Sequence, residues 1–385
     1  PRAEALVETS TRRHQYTAVK VCFLNHNLRE SSGAGRFALA LVTNLKKFNP
    51  ALQAVVLTTS GCHHPWEQPI LPSHPLRFLP ALARVRKMFR RSDLIHALDG
   101  WPYGVIAALA NLALGKPLLI TAIGTGAIQP LYRRYGWLLA WAYRRANRVV
   151  AISDYTRREV VKKVAGLEID VINHAVSSEE FERPLWDGVA AGDRARIEGW
   201  RPFILSVGSP KARKGFTVSI RAFAEIVPQR PELRYVMVGS GGPAIRGLVR
   251  ELGLEDRVVM VKHVPRPFLV GLYRNAELFM LLPYDVDKDV EGFGFVFLEA
   301  AAAGLPVIGT RESGAEDALS HGENGFLVPP QDPPAAAEAA IRILSSPELK
   351  ERFSRASLAF AREMNWERVA AAYHHIYRSL LREHL

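Results

Sequence analysis

Two glutamates eight residues apart, Glu291 and Glu299 in EGFGFVFLE, have the types and spacing to do chemistry. Glu291-Gly292-Phe293-Gly294 reads as a flexible turn, and the apolar run at 295–303 reads as the helix it feeds. N–H groups at a helix start lack intrahelical partners and favour a phosphate ahead of them. If the segment is helical throughout, the two carboxylates stand roughly 12 Å apart at ~1.5 Å of rise per residue. That is about the span from sugar to ribose in a nucleoside-diphosphate sugar. One carboxylate would accept from sugar hydroxyls and the other from ribose hydroxyls, with the diphosphate on the N–H groups between them. A single glutamate on a helix is ordinarily a surface residue; the two carboxylates, the glycines and the apolar helix together carry the reading.

Other residues are candidates by type and place. Lys214 in VGSPKARKG (207–215) either neutralises a phosphate or is a solvated residue before a glycine turn. Gly33-Ala34-Gly35 follows a strand-like run and opens a helix, so Gly33 and Gly35 either bring backbone close to a phosphate or make a tight turn. His26 and Asn27, just after the first strand, and His96 and Asp99, in HALDGWPYG at another strand's end, are either acceptor-binding groups or structural hydrogen-bonding residues. His174 reads as a packing residue near the hinge. Asp285, Asp287 and Asp289 read as a solvated acidic loop, because they lack the length and glycine of a calcium-binding hand.

These residues need elements to hold them. Strand-like apolar runs occupy 18–27, 53–59, 93–98, 117–123, 148–153 and 170–174, with helical patterns between most of them. A polar stretch at 177–202 then reads as a linker with a short helix. The alternation restarts at 202–209, with a helix over 215–227 and further runs at 234–241, 257–264, 276–284 and 305–310. Strands alternating with helices predict parallel, doubly wound sheets. Two such sheets joined by a hinge place the carboxyl ends of their strands across a cleft, where open α/β sheets bind ligands. The tail from Ser354 to Leu385 reads as helical, with Trp366 on its apolar face.

Composition narrows the partners. At 385 residues the chain exceeds one ordinary core, which predicts two domains. No run of 18 apolar residues occurs, no signal-peptide h-region is seen at the start, and Cys22 and Cys62 have no metal-ligand spacing, so a reducing cytoplasm is expected. The net charge of +12 is uneven: residues 1–150 hold 20 Lys+Arg against 6 Asp+Glu, and the remainder holds 30 against 32. An anionic partner is therefore expected for the first half. LARVRKMFRR (82–91) and RRYGWLLAWAYRRANR (133–148), with arginines at 133, 134, 144, 145 and 148, suit an anionic lipid interface or a solvated amphipathic helix. Nucleic acid is not expected, since no binding module accompanies the charge.

The block at 283–333 resembles the E-x7-E motif of the GT-B-fold, retaining glycosyltransferase family 4. The likeness extends to VGSPKARKG, the strand VMVGSG (236–241), the Gly33-Ala34-Gly35 loop, NGFLVPPQDP and Trp366. It implies two Rossmann-like domains facing across a cleft: 1–180 for the acceptor, 181–365 for the donor, and a helix at 366–385 packing toward the first. It implies Glu291 on the donor sugar, Glu299 on the ribose, and backbone from Gly292, Phe293, Gly294, Phe295 and Val296 on sugar and phosphate. It further implies Lys214 on the leaving diphosphate, Gly33 and Gly35 near the phosphates, Ser209 and Gly239 lining the donor site, and His263 near the base. No metal or other cofactor is implied; the donor is a GDP- or UDP-linked sugar and the acceptor lipid-linked or glycan, in the cytoplasm or at its membrane face. The chain departs from the family pattern at Ser209 (commonly Arg, with Lys211 or Arg213 as substitutes), Ile123 (commonly His), Asn173-His174-Ala175 and Lys262. Those departures keep a catalytically silent binding protein and a soluble-acceptor enzyme as competing readings.

Overall fold

The computed structural model describes residues 18–384 except 31, 62–63, 73–77, 240 and 263; Cys62 and His263 thus lie outside the described residues. The first half runs β1 (Lys20–Leu24), α1 (Gly33–Phe48), β2 (Gln53–Leu57), β3 (Glu67–Gln68), α2 (Phe78–Arg90), β4 (Leu94–Ala97), α3 (Val105–Asn111), β5 (Leu118–Ala122), α4 (Gly124–Ile128), α5 (Gly136–Arg145), β6 (Arg148–Ala151), α6 (Asp154–Val161) and β7 (Asp170–Val171). Its seven strands are parallel, in the order β3-β2-β1-β4-β5-β6-β7. The central strands are almost wholly buried, which is why they read as continuous Val/Ile/Leu runs rather than alternating ones.

The stretch read as a linker holds two helices, α7 (Glu179–Glu182) and α8 (Ala191–Trp200). The second half follows with β8 (Phe203–Val207), α9 (Phe216–Ile226), β9 (Arg234–Val238), α10 (Pro243–Glu251), β10 (Val258–Val261), α11 (Arg266–Asn275), β11 (Leu278–Met280), α12 (Phe295–Ala302), β12 (Val307–Thr310), β13 (Gly325–Val328), α13 (Pro333–Ser345), α14 (Pro347–Glu363) and α15 (Trp366–Arg382). Its six strands are also parallel, in the order β10-β9-β8-β11-β12-β13.

The last helix returns to the first sheet. Asn365 caps α15, its side chain accepting from the Arg368 N–H, and Trp366, Val369, Ala370, Tyr373, Tyr377 and Leu380 share one core with β1 and α1. The two domains meet through backbone as well. A Cβ on Gly292 would overlap the Gly124 Cα, so this approach requires glycine there. Ser153 Oγ donates to the Gly292 carbonyl at 2.5 Å, Thr125 Oγ1 to Asp289 Oδ1 at 2.6 Å, and Asp317 accepts the Asp154 N–H at the start of α6 at 2.9 Å.

Candidate active site

Both sheets change winding direction between adjacent strands, β1 and β4 in the first and β8 and β11 in the second, and crevices open at such points. The loop after β8 carries Lys214 and the loop after β11 carries Glu291, so residues far apart in sequence converge. Gly215 takes a left-handed backbone (φ 68°), and a Cβ there would overlap the Leu282 carbonyl; this tight turn directs Lys214 inward. Lys214 Nζ and Arg213 Nη1 each lie 2.5 Å from Glu291 Oε2, and Arg213 Nε lies 2.9 Å from Asp289 Oδ1. Burial alone would raise the Glu291 pKa, but the two cations outweigh it and hold the carboxyl at about 2. Burial and the neighbouring Arg213 pull the Lys214 ammonium down, against Glu291 holding it up. Two cations thus face two carboxylates, Glu291 and Asp289, where the two loops meet. Of the two cations offered in place of the family's arginine, Arg213 pairs with Glu291 and Asp289, whereas Lys211, like Ser209, is exposed.

Glu299 is 1% exposed. Its Oε1 lies 2.5 Å from Arg266 Nη1 and 3.2 Å from Arg36 Nη1, and its Oε2 accepts from Tyr273 at 3.1 Å. Arg266 also reaches Glu180 at 2.7 Å. Between the glutamates, Gly294 caps α12 in a left-handed conformation (φ 85°). The side chains of Phe293 and Val296 are buried in the second core, while Phe295 lies under the Arg36 guanidinium. Gly239 (φ 83°) sits against the Gly208 carbonyl at the ends of β9 and β8. Gly35 is needed by the protein itself, because a Cβ there would overlap Asn27 and Arg29; a Cβ on Gly33 would meet nothing within 4 Å. The close approach expected of both glycines is thus explained at Gly35 by the adjoining loop.

On the first sheet, one expectation is corrected. His96 is fully buried, with Nδ1 on the Tyr377 hydroxyl at 2.8 Å and Nε2 on Thr121 Oγ1 at 2.7 Å, so it fastens α15 and cannot meet an acceptor. Asp99 follows β4, half-buried, and accepts the Gly100 N–H at 2.7 Å; burial lifts its carboxyl to about 8 against the N–H groups of Gly100 and Ile123. His26 is exposed and meets the Tyr103 hydroxyl at 3.0 Å and Thr59 Oγ1 at 3.1 Å. Asn27 is buried and holds the loop, accepting from the Arg29 N–H and Ser32 Oγ. His174 packs on Phe37, Phe293 and Phe295, a packing residue that sits behind the start of α12. Asp285 and Asp287 are exposed, as expected of a solvated loop, and pair at the surface with Lys288 and Arg133, whereas Asp289 is half-buried against Arg213.

Sequence reasoning missed Arg36 and Arg266, which grip Glu299, and Ser153, Thr156 and Asp317, which join the domains. Arg36 stands next to the Gly33–Gly35 loop, and that adjacency was its one signal.

The family model for "Glycosyltransferase Family 4" matches residues 31–180, and that for "Glycosyl transferases group 1" matches residues 193–359. A D-inositol 3-phosphate glycosyltransferase of Acidothermus cellulolyticus is 30% identical over 355 residues, 84% of this chain and 76% of that protein. One from Thermobispora bispora is 28% identical over 347 residues, 84% and 79% of the two chains. Among solved structures, the sucrose-phosphate synthase of Thermosynechococcus elongatus is similar with a TM-score of 0.76 at 21% identity, covering 95% of this chain and all of that one. Anabaena HepE in complex with UDP and glucose is similar at 0.76 and 20% identity, over 94% of this chain and all of that one. Two doubly wound sheets, the buried glutamates between them and both family models agree: the chain belongs to the family 4, group 1 glycosyltransferases of GT-B fold, which move a sugar from a nucleotide sugar.

Proposed function

We propose that this enzyme transfers its glycosyl group with retention and without a metal ion, from a UDP- or GDP-linked sugar to a hydroxyl of a lipid-linked or glycan acceptor in envelope or polysaccharide synthesis. The observation that carries the reading is the buried contact of Lys214 and Arg213 with Glu291 at the second sheet's switch point. In the reaction the bond from the sugar's C1 to the phosphate oxygen breaks and an oxocarbenium-like centre forms. The acceptor oxygen adds to the same face, and its proton passes to the departing phosphate. Lys214 and Arg213 offset the charge gathering on the nucleoside diphosphate, a role in which preorganised cations act strongly. Glu291 accepts sugar hydroxyls, Glu299 takes the ribose, and backbone from Gly292 to Val296, with Ser209, Gly239 and the Gly33–Gly35 loop, lines the rest. Asp99 and His26, at the carboxyl ends of the first sheet, orient the acceptor. Closure between the domains excludes water and aligns the two substrates.

The membrane part of the reading rests on the surface. Among the described residues, five of the six exposed large hydrophobics precede residue 175: Leu112, Tyr132, Tyr135, Trp137 and Val171. Trp137 is 67% exposed beside the exposed Arg133, Arg134, Arg144 and Arg145, and α2 buries Ala81, Val85 and Phe89 while presenting Arg84, Lys87 and Arg90. No helix among the described residues is long and apolar enough to cross a membrane. Contact would then be peripheral, on the cytoplasmic face. A second reading, favoured by the names of the relatives, is a small phosphorylated polyol as acceptor.

Thermal-shift titration with UDP, GDP and ADP, followed by turnover with the matching sugar donors in EDTA, tests the donor side. A stabilising shift with one diphosphate and EDTA-resistant α-linked product from an α-linked donor are expected; an inverted product or loss of activity in EDTA refutes that part. Turnover with inositol phosphate but not with a lipid-linked sugar would select the second reading.

A further inference from the structure

We propose that Arg36 is a diphosphate-binding residue that the first domain delivers to the donor site; the inference rests on the nucleotide-sugar reading above. Arg36 lies in the first turn of α1, the helix that Ser32 caps and that begins at Gly33. Its guanidinium leaves its own domain. The Cζ atom stands 4.5 Å from the centroid of the Phe295 ring, the first residue of α12, and Nη1 reaches Glu299 Oε1 at 3.2 Å. The group therefore lies along α12 between the sugar end and the ribose end of the clamp, where the diphosphate must pass.

Glu299 does not depend on Arg36. Arg266 holds the same oxygen at 2.5 Å, and Tyr273 occupies the other at 3.1 Å. Of the two arginines Arg36 makes the longer contact, and both side chains keep about a third of their surface open, 35% and 36%. A buried carboxylate that keeps one close cation can release a second at small cost, whereas losing its only partner would leave an unpaired charge. A ribose arriving at Glu299 competes for the oxygen that Arg36 touches. The freed guanidinium then has the diphosphate as its nearest anion and presents paired N–H donors matched to phosphate oxygens. The phosphates would be gripped by Lys214 and Arg213 from one domain and by Arg36 from the other, so a diphosphate, and not a nucleoside, would draw the domains together.

The test is calorimetric titration of the full chain with uridine, UMP and UDP, in wild type, Arg36→Gln and Arg36→Lys. In Arg36→Gln, UDP should bind about tenfold or more weakly, as loss of a charge-assisted contact implies, with uridine unchanged within about twofold. Arg36→Lys, which keeps the charge and loses the fork, should fall between and stands in if the glutamine variant does not fold. UDP bound as tightly or more tightly by Arg36→Gln would overturn the proposal and leave Arg36 a simple tie to Glu299. Equal weakening of uridine and UDP would also overturn it, by placing the effect on the ribose contact. A wild-type chain that binds neither UDP nor GDP would instead refute the donor reading, and this inference with it.

Discussion

At Glu291 the opposing effects of burial and two adjacent cations are resolved in favour of the ionised form, at about 2 against an ordinary 4.5. A carboxyl lowered on folding contributes stability that is complete above its unfolded value and is lost as pH falls toward the folded one. His96 and His174 act in the same direction for a different reason: burial lowers both to about 3 from 6.5, so the unfolded chain takes up protons that the folded chain refuses. Asp99, lifted to about 8, acts the other way over the same range, but one carboxyl is outweighed by two histidines, so the melting temperature should fall as pH drops from about 6 toward 3, and Glu291→Gln should flatten the part below about 4.5. Calorimetry from pH 3 to 7 checks this; a wild-type profile flat between 6.5 and 4 would refute the buried neutral histidines. Glu291 and Glu299 were legible because their spacing is local and rule-bound, and Lys214 because it stands before a glycine turn that follows a strand-like run. Arg36 was not, since its partner is 263 residues away, and His96 misled because nothing in HALDGWPYG shows that α15 covers it.

The helix α15 is tied to the first sheet by the His96–Tyr377 and Thr121–Tyr373 contacts within a mostly apolar interface. Tyr377→Phe strands a buried ring nitrogen and should cost about 1–3 kcal/mol, read as a lower melting temperature with unchanged kcat at a permissive temperature. A loss of kcat without loss of stability would assign Tyr377 to the chemistry instead. Between the domains, Gly292→Ala forces a methyl into the Gly124 backbone. It should lower kcat/KM by hindering closure; normal kcat/KM would show that this approach is dispensable. Most strands were legible as buried apolar runs. The exceptions were β3, two residues at a sheet edge, and β13, whose four residues are hemmed by the turn before and the prolines after, too short for a period to register.

Over the whole molecule, the positive excess lies on the domain that carries the exposed tryptophan and tyrosines, and the second domain carries the buried Glu291 and Glu299. The two-domain plan was legible from the repeated alternation of strands and helices, but the domain contacts were not, because Ser153, Thr156 and Asp317 bind backbone across the boundary and leave no local pattern. If the basic face meets anionic lipid, flotation with phosphatidylglycerol vesicles should be strong at low salt and weaken steeply between 50 and 500 mM NaCl, on the screening lengths of about 14 and 4 Å that these imply; no flotation at low salt would remove the membrane from the account. The central claim is that Glu291 and Lys214 do their work at one shared site between the domains. The most direct measurement is sugar transfer by wild type, Lys214→Ala and Glu291→Gln, each shown by calorimetry to be folded. Losses on the order of a hundredfold or more are predicted for both, the scale of removing one charge-stabilising group. Near-normal transfer by both variants would contradict it.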